Sequence, residues 1–250
     1  MKKSLLKLIG TGLIGLTSLF NSGCCLMDGT TKQNPITARS SVSESIVSDT
    51  VANLGIRFGK GPCAHTYADV GLSNGKFDLT GFTWVNYSIT DSKTVEQDYG
   101  LEGKFNINEN FSFSSGLQYW QFTIGENPVG ALALNYNKDR FNAELRTLSV
   151  LDDGGTIYIG NLKKTFPVEG TDFSFAPTLK LAYSDGFYGR QGMLYVTPGV
   201  SANFGKIGPI DVSGFARYQI GIETDNIWYG GINFEVKSGK VPLIGEKKEK

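Results

Sequence analysis

The stretch Val95-Glu96-Gln97-Asp98-Tyr99-Gly100-Leu101-Glu102-Gly103-Lys104-Phe105-Asn106-Ile107 decides the fold. Its odd-numbered positions are mostly apolar or aromatic, and its even-numbered positions are mostly charged or polar. Successive side chains of a β-strand point to opposite faces, so a period of two places one face in water and the other in an apolar environment. The stretch therefore predicts a long strand with two unlike faces.

The same alternation recurs in other parts of the chain, for example in Phe77 to Tyr87, Phe173 to Tyr183 and Ile210 to Ile220. The segments between these stretches are short and rich in Gly, Asn and Asp, which suit tight turns between antiparallel neighbours. No stretch between Val51 and Val236 has a helical period. We predict an all-β fold, a closed antiparallel up-and-down transmembrane β-barrel of about 12 strands.

Ten strands remain an alternative, because three of the predicted strands are weakly patterned. They are Val51 to Gly59, His65 to Ser73 and the one near Ile157. Pro177 and Pro198 fall within strands, where each removes a ladder hydrogen bond, so we expect bulges or bends at both positions.

Composition limits the classes of partner. The chain has 250 residues and 32 glycines, and its Lys plus Arg content equals its Asp plus Glu content, which gives a formal net charge of zero. A chain without a basic field has little attraction for nucleic acid, so we expect no nucleic-acid partner.

The N-terminus carries a basic start followed by a short apolar stretch, which predicts a signal peptide over residues 1–23. We expect a flexible polar linker over 24–50, the barrel over 51–236 and a Lys-rich periplasmic tail over 237–250. Cys24 follows Asn-Ser-Gly, which resembles a bacterial lipobox, and is a candidate for lipidation. Cys63 is the only cysteine of the predicted barrel, so we predict no disulfide within it.

Alternation by itself does not decide whether the apolar face points outward, as in a membrane barrel, or inward, as in a soluble lipocalin-like binder. Phe77 and Tyr87 lie ten residues apart on the apolar face, and so do Phe173 and Tyr183. At about 3.3 Å per residue and a tilt near 40°, that separation projects to roughly 25 Å, the height of an outer-membrane apolar band. We therefore expect a barrel of the bacterial outer membrane, with outer-membrane lipids around it and both ends in the periplasm.

Two stretches resemble known outer-membrane proteins. Tyr229 to Val236 resembles the β-signal of substrates of the barrel-assembly machinery, which implies that this machinery is a partner. The stretch from Phe77 to Trp120, with Trp84-Val85-Asn86-Tyr87 and Val95-Glu96-Gln97-Asp98-Tyr99, resembles TorF-type porins of Gram-negative bacteria. That resemblance implies an outer-membrane barrel of the porin class without identifying a substrate.

If the polar face lines a lumen, its side chains are candidate pore residues. They are Asp78, Trp84, Glu96, Asp98, Glu102, Lys104, Trp120, Glu144, Arg146, Lys180, Asp211 and Arg217. Rings of charge select ions or small polar solutes, and a mild excess of acid favours cations. The alternative is a lumen closed by salt bridges, in a barrel with a structural or surface-interaction role. In that role, the connection from Ser184 to Gly192 is the longest outer loop that we expect.

Catalysis is the least favoured class. His65 and Asp91-Ser92 would lie in early outer loops, in an order that resembles the lipid A palmitoyltransferase, and a histidine beside a serine can activate it for acyl transfer. Asp-Ser is a common turn dipeptide, however, so we expect no enzyme. No metal or cofactor motif is present in the sequence.

Overall fold

The computed structural model describes residues 36–51, 57–59, 61–122, 125–152 and 154–244. Twelve long strands form one closed sheet in which each strand pairs antiparallel with its neighbours in sequence. The strands are β1 (Ile36–Val47), β2 (Cys63–Ser73), β3 (Phe77–Ser88), β4 (Lys93–Asn106), β5 (Phe111–Phe122), β6 (Gly125–Lys138), β7 (Phe141–Val150), β8 (Thr156–Lys164), β9 (Ser174–Asp185), β10 (Gln191–Ile207), β11 (Ile210–Gly221) and β12 (Ile227–Lys237). The prediction of a closed up-and-down β-barrel is confirmed, with twelve strands.

The barrel closes where β1 meets β12, from Ser41 opposite Lys237 to Val47 opposite Gly231. On its other side β1 pairs with β2 along its whole length, from Thr37 opposite Ser73 to Val47 opposite Cys63. Because both edges of β1 are paired, the sheet has no open edge at this seam.

The predicted N-terminal boundary of the barrel is wrong, whereas the predicted C-terminal boundary at 236 lies one residue before the end of β12 at Lys237. The expected linker contains β1, and the expected strand at 51–59 is instead a short pair, Thr50–Val51 with Arg57–Gly59. β1 was not predicted because it alternates serines with apolar residues, so its two faces differ less in hydrophobicity than those of the other strands. At the C-terminus, Val241–Ile244 forms a further short strand on β1, so this part of the expected tail is paired. The signal peptide, Cys24 and residues 245–250 lie outside the described residues.

Connections divide the barrel into two ends. At the terminal end, where Ile36 and Lys237 lie, two-residue turns join β6 to β7 and β10 to β11. The first is Asp139–Arg140, both with positive φ (48° and 65°), as a hairpin turn of the primed type requires. The distal end carries the connection from β1 to β2, which is longer than the predicted longest loop between β9 and β10.

The two prolines lie in β9 and β10 without bulges of their own. Pro177 pairs with Val200 and Pro198 with Leu179, and the register of this strand pair shifts elsewhere, between Ala182 and Tyr183. Neither proline therefore coincides with a bulge in this strand pair, and the alternative expectation of a strand bend stays a prediction. Pro198 instead interrupts the pairing of β10 with β11 between Val196 and Gly199, with the register kept on either side, as expected for a residue without an N–H.

The outer face of the barrel is apolar. Ten of the twelve strands carry large hydrophobic side chains that are more than 36% exposed at positions between the turns, among them Leu132 (49%), Leu145 (54%) and Val70 (61%). In the other two strands, β3 and β9, such side chains lie near the strand ends, where Tyr87 and Phe175 are about 40% exposed. Tyr158, Tyr183 and Trp228 are exposed toward the distal end, and Phe105 and Phe111 toward the terminal end. Exposed apolar area of this extent, flanked by aromatic rings, is typical of a face that contacts lipid. No helix among the described residues is long and apolar enough to cross a bilayer.

Candidate functional site: the barrel interior

The inner face follows from the register. Residues directly opposite each other in antiparallel strands point to the same side, so one row runs from Asp78 through Lys104, Ser114 and Ala133 to Arg146. The ion pair between Arg146 of β7 and Glu102 of β4 spans two intervening strands. This row therefore belongs to the inside of the barrel.

All twelve residues proposed from sequence as pore-lining lie on this inner parity. Along the barrel axis they form three groups. Asp78, Lys104 and Asp211 lie toward the terminal end; Glu102, Glu144, Arg146, Lys180 and Arg217 lie in the middle; Trp84, Glu96, Asp98 and Trp120 lie toward the distal end.

The middle group is organised around Arg146. Its guanidinium is 3.3 Å from Oε2 of Glu102 and 3.4 Å from Oε2 of Glu144. Oε1 of Glu144 accepts a hydrogen bond of 3.0 Å from Nδ2 of Asn161 on β8. The side chains of Arg146, Glu102 and Glu144 remain 25%, 24% and 21% exposed inside the wall, so water reaches this cluster. The ion pairs of this cluster thus join one cation to two carboxylates, and Lys180 and Arg217 add two further cations to the middle group.

Small residues make room for the Arg146–Glu102 ion pair. Between the two strands that carry it, the inner positions of β5 and β6 are Ser114, Gly116, Ala131 and Ala133. The three of these that have side chains are 2–3% exposed. The ion pair therefore lies along the wall above these small residues, which limits how far it projects into the lumen.

Glycines accommodate large inner side chains elsewhere on the wall. A Cβ at Gly100 would lie 2.2 Å from the Phe82 ring, and one at Gly199 would lie 2.6 Å from Cγ of Arg217. Each of these large side chains thus lies flat over a glycine of the neighbouring strand. The Phe82 ring also stacks on Tyr67, with centroids 5.9 Å apart and an angle of 25°.

On the side formed by β5 to β10, the distal interior is packed with apolar side chains. The cluster joins Trp120, Val129, Leu148, Ile157 and Tyr195 to others from β5 to β10, and all are at most 5% exposed. Phe187, from the single turn of 3-10 helix in the connection between β9 and β10, enters this cluster and is 0% exposed. Its ring centroid is 6.1 Å from that of Trp120, in a T-shaped contact. Water therefore has less space at the distal end than in the middle.

Acidic and aromatic side chains alternate on the distal inner face of β3, β4 and β5. Asp98 lies opposite Trp84 on one side and Trp120 on the other, and Glu96 lies opposite Asn86 and Phe122. The Trp120 Nε1–H donates to Gln118 at 2.9 Å.

Several inner residues were not proposed from the sequence, among them Arg39, Asn161 and Phe187. Arg39 lay in the expected linker, although its alternation with Val42 could have indicated a strand. The sequence did not indicate an inner position for Asn161, because a short polar residue also fits a turn. Phe187 was assigned to a surface loop, and only the tertiary structure shows that it turns inward.

The two residues of the acyltransferase hypothesis lie in different settings. His65 is on the inner face of β2, with its ring centroid 5.1 Å from that of Trp84. Ser92 is in the exposed turn between β3 and β4 and has φ 51°. Asp91 of this turn pairs with Ser88, which donates to Oδ2 at 3.3 Å. In the part of the chain that the structure describes, no three His, Cys, Asp or Glu side chains lie close enough to hold a metal ion.

Comparisons with known proteins give a fold and no sequence family. No family model matches the chain, and no curated protein matches it. Among solved structures, the KdgM porin is similar over 80% of this chain and 98% of its own, with 15% identity and a TM-score of 0.52. The NanC porin is similar over 81% of this chain and 100% of its own, with 12% identity and a TM-score of 0.50.

An outer-membrane channel from Pseudomonas putida F1 is similar over 85% of this chain and 100% of its own, with 12% identity and a TM-score of 0.50. At these identities the likeness concerns the fold. A closed barrel of this fold, with an apolar outer face and a charged, hydrated middle, is a β-barrel of the bacterial outer membrane.

Proposed function

We propose that this protein is an outer-membrane channel for ions or small polar solutes, oriented with its terminal end in the periplasm. The observation that carries the proposal is the hydrated charge cluster of Arg146, Glu102 and Glu144 inside a closed barrel. Charged side chains that keep a fifth to a quarter of their surface exposed within a wall mark an aqueous path. The short turns at the terminal end favour the periplasmic side for it, as in other bacterial barrels.

The first test is conductance. Protein extracted from outer membranes and reconstituted into planar bilayers is expected to give discrete current steps in potassium chloride. Of the twelve inner residues proposed from the sequence, six are acidic and four are basic, which supports a preference for cations; a salt gradient measures that preference as a reversal potential. Absence of current from a preparation that shows a heat-dependent shift in gel mobility, the sign of a folded barrel, would contradict the proposal.

A barrel with a closed lumen is the second candidate, and the distal apolar cluster favours it. Phe187 is the residue that distinguishes the two, because it enters the lumen from a loop. In a channel, Phe187→Ala removes part of the distal obstruction and raises the single-channel current. The matched control is Tyr188→Ala, since Tyr188 is adjacent and 42% exposed. If both variants and the parent protein give no current, the barrel has a closed lumen and a structural role.

The proposal also includes a porin class and a partner in barrel assembly. The resemblance to TorF-type porins supports a porin class without a known solute. The strand Ile227–Lys237 contains the stretch that resembles a β-signal, and it forms the closing seam with β1, which supports the barrel-assembly machinery as a partner. Crosslinking from β12 to that machinery during biogenesis tests this partner.

A further inference from the structure

Two carboxylates of the distal interior lack an ion-pair partner among the described residues. Glu96 is only 7% exposed, and no ion pair within the described part of the chain includes its carboxylate. Oδ1 of Asp98 is also buried without a hydrogen-bond partner among the described residues. Both side chains point to the inner face of β4.

No Lys or Arg of the described residues forms an ion pair with either carboxylate. Lys93 lies on the inner parity at the distal end of β4, opposite Ser88, and is exposed, and His65 lies beside Trp84. The other inner Lys and Arg residues lie in the middle or toward the terminal end, as Arg146, Lys104 and Arg217 do. A carboxylate removed from water without a counter-charge destabilises the folded protein. A cation from solution is therefore expected to bind such a pair of carboxylates with a more favourable free energy than it would bind carboxylates at the surface.

The neighbouring side chains indicate which kind of cation. Asp98 lies between Trp84 and Trp120, and Glu96 lies beside Phe122. Tryptophan faces attract ammonium groups most strongly among the aromatic side chains. A metal ion would instead require a larger set of oxygen or imidazole ligands, and the described residues offer no group of three acidic, His or Cys side chains.

We propose that Glu96 and Asp98, with Trp84, Trp120 and Phe122, form a binding site for small organic ammonium cations in the distal lumen. The carboxylates supply the counter-charge, and the aromatic rings supply cation–π contacts and exclude water. The site deepens the proposed channel function, because it gives the solute path a recognition point for amines. Binding does not require conduction, so the two are measured separately.

The tryptophans provide the readout. The chain has three, and Trp228 is 70% exposed on the outer face, so Trp228→Phe leaves fluorescence from Trp84 and Trp120 alone. Detergent-solubilised Trp228→Phe barrel is titrated with methylammonium chloride and with choline chloride, against potassium chloride at the same ionic strength. We expect a saturable change in emission with at least one ammonium salt and none with potassium.

Isosteric amides then test the carboxylates. Glu96→Gln and Asp98→Asn, added singly and together to Trp228→Phe, are expected to weaken ammonium binding roughly tenfold or more in the double variant. The control is Glu109→Gln with Glu169→Gln, which removes two exposed acids from terminal-end turns and should leave binding unchanged. The heat-dependent gel shift establishes that each variant is folded, and the ammonium salt is expected to raise the unfolding temperature of the parent but not of the double amide variant.

Several results would overturn the site. They are an emission change that is equal in the double amide variant, an equal change with potassium, no change with either ammonium salt, or a change that follows pH alone because protons neutralise the carboxylates. None of these affects conductance in potassium chloride. Failure of the site and failure of the channel are thus distinguishable.

Discussion

At the scale of single residues, the interior is shaped by pairs of unequal size. Large side chains lie over glycines of the next strand, as Phe82 does over Gly100, and the Arg146–Glu102 ion pair lies over Ser114 and Ala131. Because these contacts direct large groups along the wall, they keep space free in the middle of the lumen.

Gly100→Ala tests this arrangement. The new Cβ would lie 2.2 Å from the Phe82 ring, so the ring must rotate into the lumen, which lowers the conductance and destabilises the barrel by about 1–3 kcal/mol. The control is Gly81→Ala on the outer face, where the nearest atoms are 4.0 Å away. Adding Phe82→Ala to Gly100→Ala should restore the current, and a current that stays low in the double variant would show that the ring is not the obstruction.

Arg146→Gln tests the charge cluster. Loss of the guanidinium removes one positive charge and the ion-pair partner of Glu102 and Glu144, so the reversal potential in a salt gradient should shift toward greater cation selectivity. Stability should fall by about 1–3 kcal/mol, because two partly buried carboxylates lose their partner. Lys138→Gln at the exposed end of β6 removes the same charge and should leave selectivity unchanged. A selectivity equal to that of the parent would show that solutes do not pass the cluster.

At the scale of elements, β1 holds the barrel closed. It pairs with both β2 and β12, and its inner serines contact neighbouring strands, with Ser41 Oγ donating to Asp69 at 2.5 Å and Ser45 Oγ donating to Asn233 at 2.8 Å. Without β1, two edges with unpaired N–H and C=O groups would face lipid, where each unsatisfied group costs several kcal/mol.

Deletion of residues 36–47 is therefore expected to abolish the heat-modifiable form of the protein. The comparison is truncation after Lys240, which removes the short strand Val241–Ile244 but leaves the seam of β1 with β12 intact, and which should retain the gel shift. If the chain without 36–47 still gives a heat-modifiable barrel, β1 is dispensable for closure.

At the scale of the whole molecule, the barrel has an apolar outside and a graded inside. The outer face carries exposed Leu, Val and aromatic side chains. The interior holds a hydrated charge cluster in the middle and, toward the distal end, an apolar cluster on β5 to β10 beside the acidic residues of β4. This distribution is the reverse of that in a soluble barrel, whose apolar residues fill the inside.

Leu132→Arg and Glu126→Arg compare two depths on the outer face of β6. Leu132 is 49% exposed in the middle of the strand, and Glu126 lies next to its distal end. In phospholipid vesicles, arginine should cost about 2–4 kcal/mol at the first position and about 0–1 kcal/mol at the second. Folding stability is measured by denaturant titration. Equal costs at the two positions would indicate that the outer face does not contact lipid.

The sequence by itself determined the class of fold, the parity of the inner face and twelve candidate residues on it, because a period of two is a local property that each strand displays. It missed β1, since a strand of alternating serines has little contrast in hydrophobicity. The tertiary structure decided which residues meet across the lumen. The contact of Arg146 with Glu102, the entry of Phe187 into the distal cluster and the meeting of β1 with β12 all join residues far apart in sequence. Such contacts depend on register and closure, and no local pattern encodes them.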